Sequence, residues 1–231
     1  MNAYDWQGRT LQAALTEQPS LSLDFYSYGV MLRKREGEAY SEYAVDPAQV
    51  AVALAAKVTF DTGLIAADTL LVRQAGVKKT VVAYRKAQLT GIFLDDHEAA
   101  LRIPLPPLIL IRVTAQERQP TYQVYAVKKR PTSLDVALFH VPLPNVFNSG
   151  SICWGSVPQV SASALAGTSL AEDWQYLLGS SFGNHACSGK SKSHPSDIRQ
   201  KLIELEAKQA KRYPTSDLIA AKKTLAQALG D

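Results

Sequence analysis

The chain is 231 residues long, 46% hydrophobic and 20% charged, with a formal net charge of +4. That length makes one large domain or two small ones with room for a buried core, and the composition excludes a disordered chain. No apolar run reaches the ~18–20 residues that span a bilayer; the best, Ile103–Val113, holds three prolines and Arg112.

Met1 to Trp6 lack the basic segment and apolar core of a signal peptide, and two cysteines, Cys153 and Cys187, form no disulfide framework. A soluble, cytoplasmic protein is the expectation. Leu21–Arg33, rich in aromatic and extended-chain residues, predicts one strand with Gly29 inside it. Asp46-Pro47 opens a helix through Ala56, since Asp46 can cap and Pro47 suits the first helical position. Further strands are predicted at Lys79–Arg85, Gln88–Leu94, Leu108–Thr114 and Tyr122–Lys128. In the last, apolar and polar residues alternate incompletely, as in a strand partly covered on both faces. Short connections favour an antiparallel meander over parallel crossovers.

Pro131–Gln159 is punctuated by Pro142, Pro144, Gly150, Gly155 and Pro158 and reads as a long ordered loop. Helices are predicted beyond it at Leu170–Leu178, at Ser196–Lys211 with Ser196 as cap, and at Ser216–Leu229. Strands, then an irregular loop, then helices make an α+β fold. Two parts follow: residues 1–189, and a helical segment 190–231 packed on the same domain. That segment holds nine Lys/Arg against five acids, so it carries the whole net charge. Its basic residues read as the solvated face of a helix, with nucleic acid as the less favoured partner and no membrane.

The loop carries the chemistry. Cys153 sits among proline, glycine and asparagine, unlike a core cysteine within apolar periodicity. Pro144-Asn145 and Gly150-Ser151-Ile152-Cys153 resemble the active-site stretch of ubiquitin-conjugating enzymes. That family has a His-Pro-Asn tripeptide eight residues ahead of its cysteine, and Asn145 and Cys153 are likewise eight apart. The family's histidine position holds Leu143 here. That departure, with Arg130-Pro131, Pro144-Asn145-Val146, Gly155-Ser156, Trp174 and Ser180-Ser181-Phe182, resembles a bacterial branch, prokaryotic ubiquitin-conjugating-enzyme family D. The branch includes protein B of the plasmid-associated PRTRC systems.

The resemblance implies a ubiquitin-conjugating-enzyme-like fold, with the meander followed by the active-site loop and C-terminal helices. It implies a ThiF-type adenylating enzyme and a ubiquitin-like modifier as partners, with a JAB-type protease encoded nearby, and no cofactor or metal. Cys153 would then accept the modifier's C-terminal carboxyl as a thioester, a nearly isoenergetic exchange of sulfur for sulfur. Asn145 offers an amide to the oxyanion of the next step, or a brace for the loop. Glu172 and Asp173 form the acidic pair nearest after the cysteine. His140 either substitutes for the missing histidine or simply ends a strand. Against the enzyme stands a non-catalytic docking module, for which Leu143 is the main support.

Other signals are weaker. Gly189-Lys190-Ser191 ends like a phosphate-binding loop, but Asn184 stands where the first glycine belongs. His185, Cys187 and His194 do not have the spacing of a structural zinc site, and His97 stands alone after Asp95-Asp96.

Overall fold

The computed structural model describes residues 20–55, 62–115, 118–155 and 167–230. The chain divides into two units, Met1–Asp61 and Thr62–Asp231.

In the first unit, β1 (Leu21–Tyr26), β2 (Gly29–Glu36) and β3 (Ala39–Val45) form an antiparallel sheet in that order, followed by α1 (Pro47–Ala55). The expected single strand Leu21–Arg33 is therefore two. The chain reverses at Ser27-Tyr28, and Gly29 stands opposite Tyr26 at the start of β2. The Asp46 carboxylate caps α1 by accepting from the Ala48 N–H (2.9 Å), as the Asp-Pro signal predicts. Ala56 lies outside the described residues.

The second unit is built on a six-stranded antiparallel sheet. Its strands are β4 (Thr69–Ala75), β5 (Lys78–Arg85), β8 (Leu108–Thr114), β9 (Thr121–Ala126), β10 (Ala137–His140) and β12 (Ala220–Thr224), ordered β12-β10-β9-β8-β5-β4. Between β5 and β8 the chain leaves this sheet as the hairpin β6 (Gln88–Leu94) and β7 (Leu101–Leu105). The short strand β11 (Ser181–Phe182) adds to β6 in parallel. The antiparallel expectation thus holds for every other pairing, with an excursion that strand order along the chain does not reveal. Strict alternation in β6 explains the excursion: Thr90, Ile92 and Leu94 are buried while Leu89, Gly91 and Phe93 are exposed.

Both faces of the large sheet are covered. Val81, Ala83, Leu108, Leu110, Val124 and Ala126 meet the hairpin, α2 (Ala171–Gly179) and α3 (Ile198–Ala207) in the main core. Val82, Ile109, Ile111, Tyr125 and Val127 pack in a second core with Leu138 and with Leu225 of α4 (Leu225–Leu229). The incomplete alternation of Tyr122–Lys128 has this cause.

Two helical expectations are corrected. The helix expected at Ser196–Lys211 begins at Ile198, and its cap is Asp197, whose carboxylate accepts from the Arg199 N–H (2.9 Å), rather than Ser196. The helix expected at Ser216–Leu229 is a single 3-10 turn (Thr215–Asp217), then β12, then the five-residue α4. Pairing of Ala220 and Thr224 with β10 overrides the helical spacing, and Lys222 adopts a left-handed φ of 56° that no helix accommodates. Thr224 and Gln227 then form a reciprocal capping box that starts α4.

Candidate active site around Cys153

The segment from Val141 to Gly155 is irregular but densely hydrogen-bonded. Leu143 sits between two prolines, is fully buried, and belongs with Val146 to the main core. Asn145 then turns the chain with a left-handed φ of 56°, a conformation its short amide tolerates better than most side chains do. Its N–H donates to the His185 carbonyl (2.8 Å), and its carbonyl accepts from the Cys153 N–H (2.8 Å). Its Nδ2 donates to the Ser181 carbonyl (3.1 Å), while its Oδ1 accepts from the Gly183 N–H (3.2 Å). One residue ties the backbone of the thiol to β11 and the turn beyond it.

The eight-residue spacing has a physical cause, since Asn145 and Cys153 are the two ends of one closed turn. Val146 pairs with Ile152 inside it, the Phe147 N–H donates to the Ser151 carbonyl (2.9 Å), and the Gly150 N–H donates to the Phe147 carbonyl (2.8 Å). Gly150 has φ 90°, and a Cβ there would lie 2.3 Å from the Tyr125 ring, so the position requires glycine for two reasons. The Tyr125 hydroxyl donates to the Ser149 carbonyl and accepts from Lys223 Nζ (3.0 Å). Cys153 itself is a free, half-buried thiol, and the Trp154 ring beside it meets Tyr122 edge-on at 5.0 Å.

A comparison with protein families bears on this loop directly: residues 48–221 match the model of prokaryotic E2 family D. The chain belongs to that family. No curated protein and no solved structure matches it. The family D match takes in the whole Cys153 loop, α2 and α3, and ends inside β12.

Within this family D chain the other expected site residues are dispersed. Asp173 is fully buried on α2 and forms an ion pair with Arg112 of β8 at 2.9 Å, which commits its carboxylate to the interior. Glu172, next to it, is half-buried. His140 ends β10 with its N–H on the Ile219 carbonyl (2.9 Å). Burial, and then the charges of Lys190 and Lys223, hold its imidazole below the usual value. A different acid, Asp95 at the end of β6, lies against the same turn: a Cβ on Gly183 would lie 3.0 Å from Asp95 Oδ2 and 3.8 Å from Asn145 Oδ1, so both side chains line Gly183. Sequence reasoning missed Asp95 because it lies fifty residues ahead of Asn145 and is brought there by the β6–β11 pairing.

Lys190 was the other unread signal. Instead of ending a phosphate loop, its side chain is buried and its Nζ donates to the carbonyls of Leu143 (2.6 Å) and Val146. Burial pushes its pKa down to about 8. Among the described residues no group of three or more metal-ligating side chains exists. His185 instead meets the Phe147 ring edge-on at 5.2 Å, and burial raises the Cys187 thiol above its usual value. Of the tail's basic residues, Lys201 is buried against Glu204 (3.0 Å), and Lys208 pairs with the same carboxylate. No helix among the described residues is long and apolar enough to cross a membrane.

Proposed function

We propose that this chain is a bacterial ubiquitin-conjugating-like enzyme with a ubiquitin-conjugating-like fold. It takes a ubiquitin-like modifier from a ThiF-type adenylating enzyme onto Cys153 and passes it to an amine. The observation that carries this reading is the bond from the Cys153 N–H to the carbonyl of Asn145, which ties the backbone of a half-buried thiol to that of Asn145. In loading, the Cys153 thiolate attacks the activating enzyme's thioester carbonyl, the new C–S bond forms, and the old thiolate leaves. In discharge an amine attacks, the carbonyl oxygen becomes an oxyanion, and Cys153 leaves as thiolate while the amine loses a proton. Nδ2 of Asn145 has a second N–H beyond the one given to Ser181, and that N–H is the donor we assign to the oxyanion. We assign the amine's proton to Asp95, whose carboxylate, like the Asn145 amide, lines Gly183.

Incubation with the cognate activating enzyme, modifier and ATP should give an adduct that thiol reductant cleaves. Cys153→Ala should abolish it, and Cys153→Ser should give a reductant-resistant ester. Asp95→Asn should load normally but discharge to free lysine about 100-fold or more slowly, within the range of general base catalysis. An adduct that persists in Cys153→Ala removes the cysteine from the mechanism.

A non-catalytic docking module is the second reading, favoured by the burial of Leu143 at the family's histidine position and by the use of Asn145 as a brace. It requires that Cys153→Ala leave partner binding unchanged and that no reducible adduct form.

A further inference from the structure

The residue that holds the Asn145 turn comes from more than forty positions away. The carbonyls of Leu143 and Val146 flank the left-handed Asn145 and both point at one ammonium, Lys190 Nζ. Leu143 has no side-chain donor to offer the turn, so these carbonyls would otherwise be buried without a partner. The backbone that aims Lys190 is itself fixed from both sides. The Gly189 N–H donates to the Pro195 carbonyl (2.8 Å), and Ser191 pairs with Leu218. Ser191 Oγ donates to Asp217 Oδ2 (2.6 Å) and the Ser193 N–H to Asp217 Oδ1 (2.8 Å). Gly189 has φ 74°, and a Cβ there would lie 3.1 Å from Asn148 Nδ2, so this turn is pressed against the Cys153 loop itself.

We propose that Lys190 is a positioning residue of the Cys153 loop, its ammonium setting the Leu143–Val146 turn that presents Asn145 and, through the Asn145 carbonyl, Cys153. Stability alone does not account for it. Burial lowers the pKa of Lys190, so folding is linked to release of its proton. A simple filler of this space would be apolar. Two carbonyls aimed at one cation define a geometry that an apolar side chain cannot impose. The titratable and charged groups that face Lys190 are His140 of β10 with Lys223 of β12 behind it, and Cys187 of the loop that precedes it.

The inference rests on Cys153 as the working thiol, but its test does not need the modifier. The rate of Cys153 alkylation by iodoacetamide, read by intact mass with Cys187 followed separately, reports how the loop presents the thiol. Lys190→Met should change that rate at pH 7 at least threefold. Leu205→Ala, a core variant in α3, should leave it unchanged at a comparable loss of Tm. Between pH 7 and 9.5 the wild-type profile should depart from a single ionisation as Lys190 loses its proton, and Lys190→Arg, which stays charged, should follow a single ionisation. If Lys190→Met does not fold, the comparison of wild type with Lys190→Arg carries the test. Superimposable normalised profiles, or an equal change in Leu205→Ala, would overturn the proposal. A wild-type protein that shows this linkage but never takes a modifier would overturn the proposed function and leave the positioning role standing.

Discussion

Asn145 concentrates the chemistry and the strain of the site in one residue. Its left-handed φ of 56° and its two side-chain hydrogen bonds to Ser181 and Gly183 are separable contributions. Asn145→Ala loses both, for a destabilisation of about 2–4 kcal/mol. Asn145→Gly loses only the bonds, and should be more stable than the alanine variant by about 1 kcal/mol because glycine adopts this φ freely. Urea unfolding of the two variants separates the terms, and equal midpoints would show that the backbone is unstrained. Gly150 is the complementary case. Gly150→Ala places a methyl group on the buried Tyr125 ring, and overpacking of that kind with a positive φ should cost about 3 kcal/mol. The cost is measurable as a lowered Tm.

At the scale of elements, the 3-10 turn Thr215–Asp217 matters more than its length suggests. Asp217 accepts from Ser191, from the Ser193 N–H and from the Tyr213 hydroxyl (3.1 Å), and so fastens the turn that carries Lys190. Burial alone would raise its carboxyl, but these hydrogen bonds outweigh burial and hold it below the usual carboxylate range. A depressed folded pKa contributes stability that is whole above the unfolded carboxylate value of ~3.9 and disappears as pH falls through the lower folded value. The urea midpoint of Asp217→Asn should therefore lie below that of wild type at pH 7, and the gap should narrow steadily below pH ~4. A gap independent of pH would mean that the carboxylate charge is not what Ser191 and Tyr213 recognise.

Across the whole second unit, one buried ion pair joins the sheet to the helical layer. Arg112 on β8 and Asp173 on α2 are both almost fully enclosed, and Arg112 also donates to the Gly167 carbonyl (2.9 Å). Removing one partner strands a charge in the interior, so Asp173→Asn should cost about 3–5 kcal/mol. The double variant Arg112→Met, Asp173→Leu should recover most of that loss, because it leaves no unpaired charge behind. Chemical denaturation of the single and double variants checks this. Because Asp173 is committed to this pair, we expect its replacement to act on stability and leave lysine discharge per folded molecule unchanged.

The sequence by itself determined whatever short-range periodicity and local covalent chemistry control. The strands at Gln88–Leu94 and Leu108–Thr114 were legible from their residues, as was the capped start of α1 at Asp46-Pro47. The eight-residue spacing of Asn145 and Cys153 was visible as a family resemblance, whereas its closure by one left-handed residue and one obligatory glycine was not. Tertiary structure decided what depends on partners distant in the chain. Helical spacing over Ser216–Leu229 gave way to β12 because β10 offered Ala220–Thr224 a strand edge, a gain no propensity within the segment encodes. Asp95 came to line Gly183 with Asn145 only through the parallel pairing of β11 with β6, and the Asp173 carboxylate was committed to the interior because Arg112 stood across the core. Lys190, which reads as one more surface cation of a basic tail, became the buried partner of two loop carbonyls. Hydration of a charge, unlike the turn preference of an asparagine, is settled by what folds around it, and only the assembled core supplies that.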